Sequence, residues 1–481
     1  NALGYPFRRT GFAAGKPIPA LRCLTSHQTM TSRTDQNFSQ PGGNLLRAKR
    51  RMEKLNHQRL RLLPRALLLG VLSGLMAVAF AKAMEAGDTL RLALLDSASR
   101  FDRWGVALSV AFSVATISLA VWLVRFFAPA AAGSGIPHLK GVLLGYRSMV
   151  WYRVLWVKFV GGVIGVTGGL TLGREGPTVQ MGGALGQMLG SRSHSDTLEQ
   201  RSLIAAGAGA GLSAIFNAPL AGVVFVLEEL QGNFTSLVFF AALIASMTAD
   251  VLSRGLMGQH PVFHVTVTAI PDLTSLPLFL ALGILAGVLG VLFNRALLAT
   301  QRLGDTQNPR LLASKWISWG VIIGLTGWWM PEICGGGQPL VERILSGREY
   351  IDLWTLALLF GLRFLLTMGS YGTGAAGGIF APLLVLGALL GLGIGELGRE
   401  WFPLVAPEPL TVAVAGMAAY FTAIVRAPLT GIVLIVEMTG NYSLILPLFT
   451  ACFSAYVIAE WWPDVPIYEA LLERDLEKDL A

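Results

Sequence analysis

The amino-acid sequence predicts an all-α protein that crosses a membrane many times. Of its 481 residues, 53% are hydrophobic and only 14% are charged, whereas an ordinary soluble protein has roughly 25% charged residues. Apolar segments follow one another from about residue 66 to residue 460 with few polar breaks. Glycine occurs 56 times and proline 23 times, which in an apolar chain indicates closely packed and interrupted helices.

The apolar segments are too uneven in length for a simple bundle of membrane-spanning helices. Some reach the ~20 residues needed to cross a bilayer, whereas others are shorter or contain Gly and Pro. The segments lie at about 66–84, 106–127, 154–172, 177–190, 203–230, 236–258, 276–299, 313–331, 353–369, 378–396 and 411–460. Transporters use short, interrupted segments of this kind where a helix ends inside the membrane.

Polar residues flank this apolar region at both ends. Residues 1–43 have no apolar core, and we interpret them as a disordered leader or upstream segment with Met30 as a candidate initiator; an organelle transit peptide is the alternative. Residues 44–65 predict a basic cytoplasmic helix, because cytoplasmic flanks of membrane spans are rich in Lys and Arg. Residues 463–481 predict a short cytoplasmic tail that is too short for a regulatory domain.

Several classes of function are disfavoured by the composition. The net charge of +8 comes from basic residues beside apolar runs, a pattern that fits membrane topology better than nucleic-acid binding. The three cysteines have no metal-type spacing, so we expect neither a metal site nor a cofactor. The sequence contains neither a GxSxG nor an HExxH motif, which disfavours an intramembrane enzyme.

An internal repeat divides the membrane region into two halves, residues 66–265 and 275–462. Three pairs of positions match in the same order and at nearly the same offset: Asn217 with Arg426 (209 positions), Pro177 with Pro382 (205) and Pro137 with Pro339 (202). Each half therefore carries the same interrupted-helix signals. If the halves are inverted relative to each other, the interrupted ends converge near the membrane midplane and form one site.

The most unusual residue of the apolar region is Glu175, which lies between Arg174 and Gly176. A carboxylate at membrane depth costs a few kcal/mol or more and indicates function. Pro177 is favoured in the first turn of a helix, so we expect Glu175 beside a helix N-terminus, where free N–H groups attract anions. The carboxylate and another anion would then compete for one place. An ion pair with Arg174 is the alternative, although adjacent residues rarely face each other.

Four ordered motifs resemble the signature set of the CLC family of chloride channels and chloride/proton antiporters, over about residues 60–465. They are Gly133-Ser134-Gly135-Ile136-Pro137, Gly173-Arg174-Glu175-Gly176-Pro177, Gly377-Gly378-Ile379-Phe380-Ala381-Pro382 and Asn441-Tyr442. The resemblance implies a prokaryotic-type homodimer with one ion pathway per subunit. It also implies an inverted repeat of tilted and broken helices, with chloride as the transported ligand. The supporting loops would contain Gly133, Gly135, Pro137, Gly173, Arg174, Gly176, Pro177, Gly378 and Pro382.

The resemblance implies four chloride-binding residues. Ser134 would offer its hydroxyl, Ile379 and Phe380 their backbone N–H groups beside Gly378, and Tyr442 its phenol. Taken alone, Ser134 also fits an ordinary helix cap. Tyr442 taken alone fits an aromatic anchor at the membrane surface.

The resemblance also implies two acidic residues that handle protons. Glu175 would be the gating glutamate, which blocks the anion pathway when ionised and swings away when protonated. Glu229 would relay protons to it from the cytoplasm, a role found in the family's antiporters, and a solvated acidic pair with Glu228 is the alternative interpretation. We therefore predict a chloride/proton antiporter, with a passive voltage- or pH-gated chloride channel as the alternative.

Two features leave details open. His138 and Lys140 follow Pro137 where many bacterial members carry acidic residues, so the inner proton route is in question, and we expect His138 to face water. Lys158 lies in an apolar segment and fits either a positive charge near the pathway or interior pairing. A bacterial inner membrane is the predicted location, with an internal photosynthetic or organelle membrane as the alternative.

Overall fold

The computed structural model describes residues 41–101, 103–192, 197–232, 234–263, 271–304, 309–347 and 350–480. Residues 1–40 of the predicted leader lie outside the described residues. Within the described part of the chain there are 17 α-helices and no β-strand, which confirms the all-α prediction. Seven described helical segments are long and apolar enough to cross a membrane.

Eight helices precede the loop that separates the two halves. They are α1 (Pro41–Ser99), α2 (Arg103–Phe127), α3 (Ile136–Leu144), α4 (Trp151–Thr167), α5 (Glu175–Arg192), α6 (Thr197–Phe216), α7 (Pro219–Phe225) and α8 (Ser236–Met257). A π-helical stretch, Val226–Gln231, continues α7. The short helices α3 and α7, with 9 and 7 residues, are the interrupted elements that the sequence predicts.

Nine helices follow. They are α9 (Leu276–Gly304), α10 (Pro309–Trp329), α11 (Gln338–Leu345), α12 (Leu353–Gly372), α13 (Phe380–Trp401), α14 (Pro409–Val425), α15 (Pro428–Thr439), α16 (Ile445–Trp461) and α17 (Ile467–Leu480). The apolar stretch 411–460 therefore contains three helices. Its first break lies at Arg426, which has a φ of 64°, and Asn217 breaks the first half with a φ of 52°. Each precedes an Ala-Pro pair, and the alanine directly before the proline is non-helical, with φ values of -132° at Ala218 and -118° at Ala427.

Glycine pairs allow the same close helix crossing in both halves. A Cβ atom on Gly182 of α5 would lie 2.0 Å from the carbonyl oxygen of Gly207 on α6. A Cβ atom on Gly387 of α13 would lie 2.4 Å from the carbonyl oxygen of Gly416 on α14. Only glycine lets these backbones approach so closely, as in other membrane helix pairs.

Two glutamates show that the halves are related by an approximate twofold axis. The Glu228 carboxylate accepts hydrogen bonds from the N–H groups of Leu429 and Thr430 at the start of α15, at 3.1 and 2.7 Å. Glu437, which lies 209 positions later, accepts from the N–H groups of Leu220 and Ala221 at the start of α7, at 3.2 and 2.8 Å. Such reciprocal contacts between equivalent residues are characteristic of twofold symmetry.

Candidate functional site

Three glycine-containing loops meet at the centre of the molecule, each just before a helix. Gly133 exchanges backbone hydrogen bonds with the segment before α13: its N–H donates to Ala375, and its carbonyl accepts from Gly377, at 3.0 and 2.9 Å. Gly173 and Gly378 donate to each other at 2.7 and 2.8 Å. The starts of α3, α5 and α13 therefore converge, which is the arrangement predicted for an inverted repeat.

Glu175 is buried where these helices begin. Glu175 is only 2% exposed, and its Oε2 accepts a hydrogen bond from the N–H of Ala381 at 3.3 Å. The carboxylate of the first half thus lies at the N-terminus of α13, the equivalent helix of the second half. Arg174 lies within electrostatic range of the carboxylate, but the described residues show no salt bridge between the two side chains. A helix N-terminus attracts anions through its unpaired N–H groups, so the carboxylate occupies a place suited to an anion.

Ser134 lies against the first turn of α5. A Cβ atom on Gly176 would lie 2.8 Å from the Ser134 carbonyl oxygen, which explains why glycine follows Glu175. The Ser134 hydroxyl oxygen accepts from the N–H of Ile136 at 3.3 Å, as a helix cap does. A hydroxyl carries one donor and two acceptor positions, so Ser134 can also donate a hydrogen bond.

Tyr371 of α12 was not singled out from the sequence. Its phenolic oxygen accepts a hydrogen bond from the Ser134 N–H at 3.4 Å. It also faces Gly133, where an added Cβ atom would lie 2.8 Å from the same oxygen. The residue is buried and braces the loop that carries Ser134. Its position in a Ser-Tyr-Gly sequence at a helix end gave no signal of this contact.

Ile379 and Phe380 form the start of α13 and are almost completely buried. The Phe380 ring packs against the rings of Phe216 and Phe421, with centroids 5.1 and 4.6 Å apart. The side chains therefore belong to the apolar core. The N–H groups of a first helical turn have no acceptors within the helix, so any contribution of these residues to an anion site comes from the backbone.

Tyr442 was wrongly predicted as a member of this site. Its side chain is 65% exposed, in a short 3-10 turn that precedes α16. An exposed phenol at a helix start fits the alternative interpretation of an aromatic anchor. The tyrosine that the structure brings to the site is Tyr468, in the first turn of α17.

Tyr468 is completely buried although it belongs to the predicted cytoplasmic tail. Its hydroxyl has no hydrogen-bond partner within the described structure. It lies within electrostatic range of Glu175, Glu229 and Tyr371. Leaving a buried hydroxyl without a partner costs about 1–3 kcal/mol, so this donor is suited to a ligand that is not part of the protein.

Glu229 is buried on the π-helical stretch after α7. Its side chain is 6% exposed and accepts from Lys140 Nζ at 3.1 Å, while the same ammonium donates to Glu469 of α17 at 2.9 Å. The solvated acidic pair considered as an alternative is therefore absent here. Glu228, the other member, caps α15.

Buried cations hold the loops of both halves. Lys158 Nζ donates to the carbonyl oxygens of Ala131 and Gly133 at 3.0 and 2.6 Å, just before α3. Arg363, the equivalent residue 205 positions later, donates to the carbonyl oxygens of Ile333 and Gly335 before α11. Interior pairing of Lys158 is thus correct, although its partners are carbonyl groups. His138 is buried rather than water-facing, and its Nδ1 lies 3.3 Å from Gln180 Nε2.

Two cavities approach the converging loops from different directions. One of about 360 Å³ is lined by Glu175, Arg174 and Ala381. The other, of about 80 Å³, is lined by Gly133, Tyr371 and the basic residues Arg147 and Arg474, among others. No residue lines both, so the packed loops separate them. Across the described residues, no group of three or more His, Cys, Asp and Glu could hold a metal ion.

The family model described as voltage gated chloride channel matches residues 114–460. The chain belongs to the CLC family. A chain from Vibrio cholerae serotype O1, named H(+)/Cl(-) exchange transporter ClcA, is 42% identical over 422 residues, which cover 86% of this chain and 89% of that relative. The Citrobacter koseri protein of the same name is 39% identical over 439 residues, with 90% and 92% covered.

Solved CLC structures share this fold. The crystal structure of a slow cyanobacterial Cl⁻/H⁺ antiporter aligns with a TM-score of 0.84 at 38% identity, and the alignment covers 88% of this chain and 99% of that one. A eukaryotic CLC transporter aligns with a TM-score of 0.74 at 25% identity, over 86% and 74% of the two chains. The predicted CLC-type fold of tilted, broken helices and inverted repeats is therefore confirmed.

Proposed function

We propose that the protein is a chloride/proton antiporter in which Glu175 is the point where both ions meet. The carboxylate's position at the start of α13 is the observation that carries the proposal. Ionised, Glu175 fills the place of an anion at the loops that separate the two cavities. Protonated, it loses its attraction to the helix N-terminus and leaves that place to chloride.

The chloride site is built from partial charges. Ser134 offers its hydroxyl, Ile379 and Phe380 offer N–H groups at the start of α13, and Tyr468 offers a buried phenol in place of Tyr442. Lys158 does not bind chloride directly, because its ammonium is turned to loop carbonyl groups. Conduction requires an ion to be bound weakly enough to leave again, and partial charges meet that requirement.

The proton route is a second path that starts at Glu229 and ends at Glu175. Glu229 is buried and paired with Lys140, away from the cavity that Arg147 and Arg474 line. Separate entry for the two ions permits each to bind without displacing the other on the inner side. Tyr468 lies within electrostatic range of both glutamates, which supports a role for it where the anion and proton paths approach each other.

The protein acts as a homodimer with one pathway in each subunit, in the inner membrane of a bacterium, with both termini in the cytoplasm. Relatives named as H(+)/Cl(-) exchange transporters from bacteria support the transported ions and the bacterial membrane. They also leave the intramembrane-enzyme alternative without support. Chloride and protons are the transported ligands, and no cofactor takes part.

A passive chloride channel is the second candidate, and one experiment separates the two. Purified protein is placed in sealed vesicles with a chloride gradient and no proton gradient, and the internal pH is recorded. An antiporter uses the chloride gradient to drive protons uphill, and an uncoupler collapses the resulting pH difference. Chloride flux without uphill proton movement would identify a channel.

A further inference from the structure

We infer that Lys140 and Glu469 together set the pH at which Glu229 takes up its proton. Both are positioning residues for the proton step, and the inference rests on the proposed antiport. The observation behind it is a three-membered cluster, Glu229–Lys140–Glu469, that joins the π-helical stretch, α3 and the first turn of α17.

Lys140 is the main source of positive charge at Glu229. The Glu229 side chain is 6% exposed, and Lys140 is 13% exposed. Water therefore contributes little to solvating the carboxylate, and the ammonium 3.1 Å away compensates for part of this loss. Removing that ammonium makes the ionised form of Glu229 less favourable.

Glu469 has the opposite influence because it shares the same ammonium. Its carboxylate lies 2.9 Å from Lys140 Nζ and is 45% exposed. When Glu229 becomes protonated, Lys140 keeps an acceptor and is not left as an unpaired buried charge, a change that typically costs about 3–5 kcal/mol. Glu469 thus favours protonation of Glu229, whereas Lys140 opposes it.

The remaining titratable groups that face Glu229 do not change this balance. Glu228 is its neighbour in sequence, and its carboxylate is held by the N-terminal N–H groups of α15. Tyr468 precedes Glu469 and lies within electrostatic range of Glu229.

The first turn of α17 serves both ion paths. Tyr468 lies within electrostatic range of Glu175, and Glu469 contacts Lys140 of the proton cluster. Further along α17, Arg147 donates to the Asp475 carbonyl and the Asp479 carboxylate at 2.8 and 2.6 Å. These contacts fix α17 against the end of α3. Rigid attachment keeps Glu469 within reach of Lys140.

The cluster belongs to the first half alone. The position equivalent to Lys140, 202 residues later, is Glu342, an exposed residue that accepts from Gln338 at 3.1 Å. The position equivalent to Glu229, 209 residues later, is Met438, a buried apolar residue. The twofold arrangement of the helices therefore does not require either charge.

The test is a pair of substitutions with opposite expected effects, Lys140→Gln and Glu469→Gln. Initial rates of chloride-driven proton movement are measured in vesicles as the pH is varied on the side that Glu229 faces. Lys140→Gln should raise the pH midpoint and Glu469→Gln should lower it, each by about one pH unit, because a nearby opposite charge lowers the pKa of a carboxyl group by roughly 1–3 units and a nearby like charge raises it. Lys140→Arg should restore the wild-type midpoint.

Glu396→Gln is the matched control, since it removes an ion-paired carboxylate that contacts Arg399 on α13 and should leave the midpoint unchanged. Shifts of both variants in the same direction, or no shift in either, would overturn the inference. Glu469→Gln tests it even if Lys140→Gln does not fold, because Glu469 is half exposed. Absence of coupled proton movement in the wild type would instead refute the proposed function.

Discussion

The two halves of the chain agree at the residues that hold the helices and differ at the residues that meet ions. Glu228 and Glu437 cap each other's helices, and Lys158 and Arg363 hold equivalent loops. The proposed ion-handling side chains have no such equivalents. Glu175 corresponds to Phe380, Glu229 to Met438, Ser134 to Gly336 and Lys140 to Glu342.

This difference distinguishes the residues that build the fold from the residues that handle ions. A duplicated fold needs the same caps and loop contacts twice, so structural polar residues occur in pairs. A single ion site at the twofold axis needs each side-chain group once, so functional side chains lack a matching side chain in the other half. The rule explains why a carboxylate appears at the start of α5 and a phenylalanine at the start of α13.

The largest effect is expected at Glu175. Glu175→Gln should abolish proton coupling, because an amide of similar size cannot take up and release the proton. Vesicle measurements of chloride-driven proton movement check this. Phe380→Leu, at the equivalent position, should keep coupling because Phe380 contributes only its N–H; loss of coupling in both variants would contradict the rule.

Glu229→Gln should also stop proton movement, while chloride continues to flow through the separate anion route. Parallel recordings of chloride efflux and internal pH distinguish this result from general inactivation. Met438→Leu is the control in the other half and should alter neither flux. Undiminished proton pumping by Glu229→Gln would show that protons enter elsewhere.

A smaller, severalfold loss of chloride affinity is expected for Tyr468→Phe, which removes one hydroxyl donor worth about 1 kcal/mol. Isothermal titration with chloride measures the change. Tyr442→Phe should leave the affinity unchanged, because the Tyr442 side chain is exposed to solvent. If Tyr442→Phe weakened chloride binding more than Tyr468→Phe did, Tyr442 rather than Tyr468 would belong to the site.

Substitution of the two helix-capping glutamates, Glu228 and Glu437, should have the smallest effects on transport. The two substitutions should also lower stability by similar amounts. Glu228→Ala and Glu437→Ala should each lower the free energy of unfolding by about 1–2 kcal/mol, the usual cost of removing a helix cap. Thermal unfolding in detergent measures this. If Glu228→Ala abolished coupling while Glu437→Ala did not, Glu228 would belong to the ion-handling group.

The sequence was sufficient for the repeat, the helix breaks and the unusual position of Glu175, because each depends on local residue types at recognisable offsets. It did not predict the burial of Tyr468. Residues 467–480 are charged enough to suggest a solvated tail, and no local pattern shows that such a helix packs back into the protein. Its apolar face, with Ile467, Leu471 and Leu472, was the available signal.

Other features that the sequence did not reveal also depend on contacts between residues far apart in the chain. His138 was expected to face water because it follows a helix start, but Gln180 and the neighbouring helices cover it. The pairing of Lys140 with Glu469 joins residues 329 positions apart. Lys158 and Arg363 could have been linked by the offset of 205 that already related Pro177 to Pro382.

The central claim is that the Glu175 carboxylate and chloride compete for one place at the start of α13. Chloride affinity measured by isothermal titration at several pH values tests it most directly, in the wild type and in Glu175→Gln. Protonation removes the competitor, so wild-type affinity should rise as the pH falls, and the variant should bind tightly at every pH. A wild-type affinity that does not depend on pH, or the same pH dependence in both proteins, would contradict the claim.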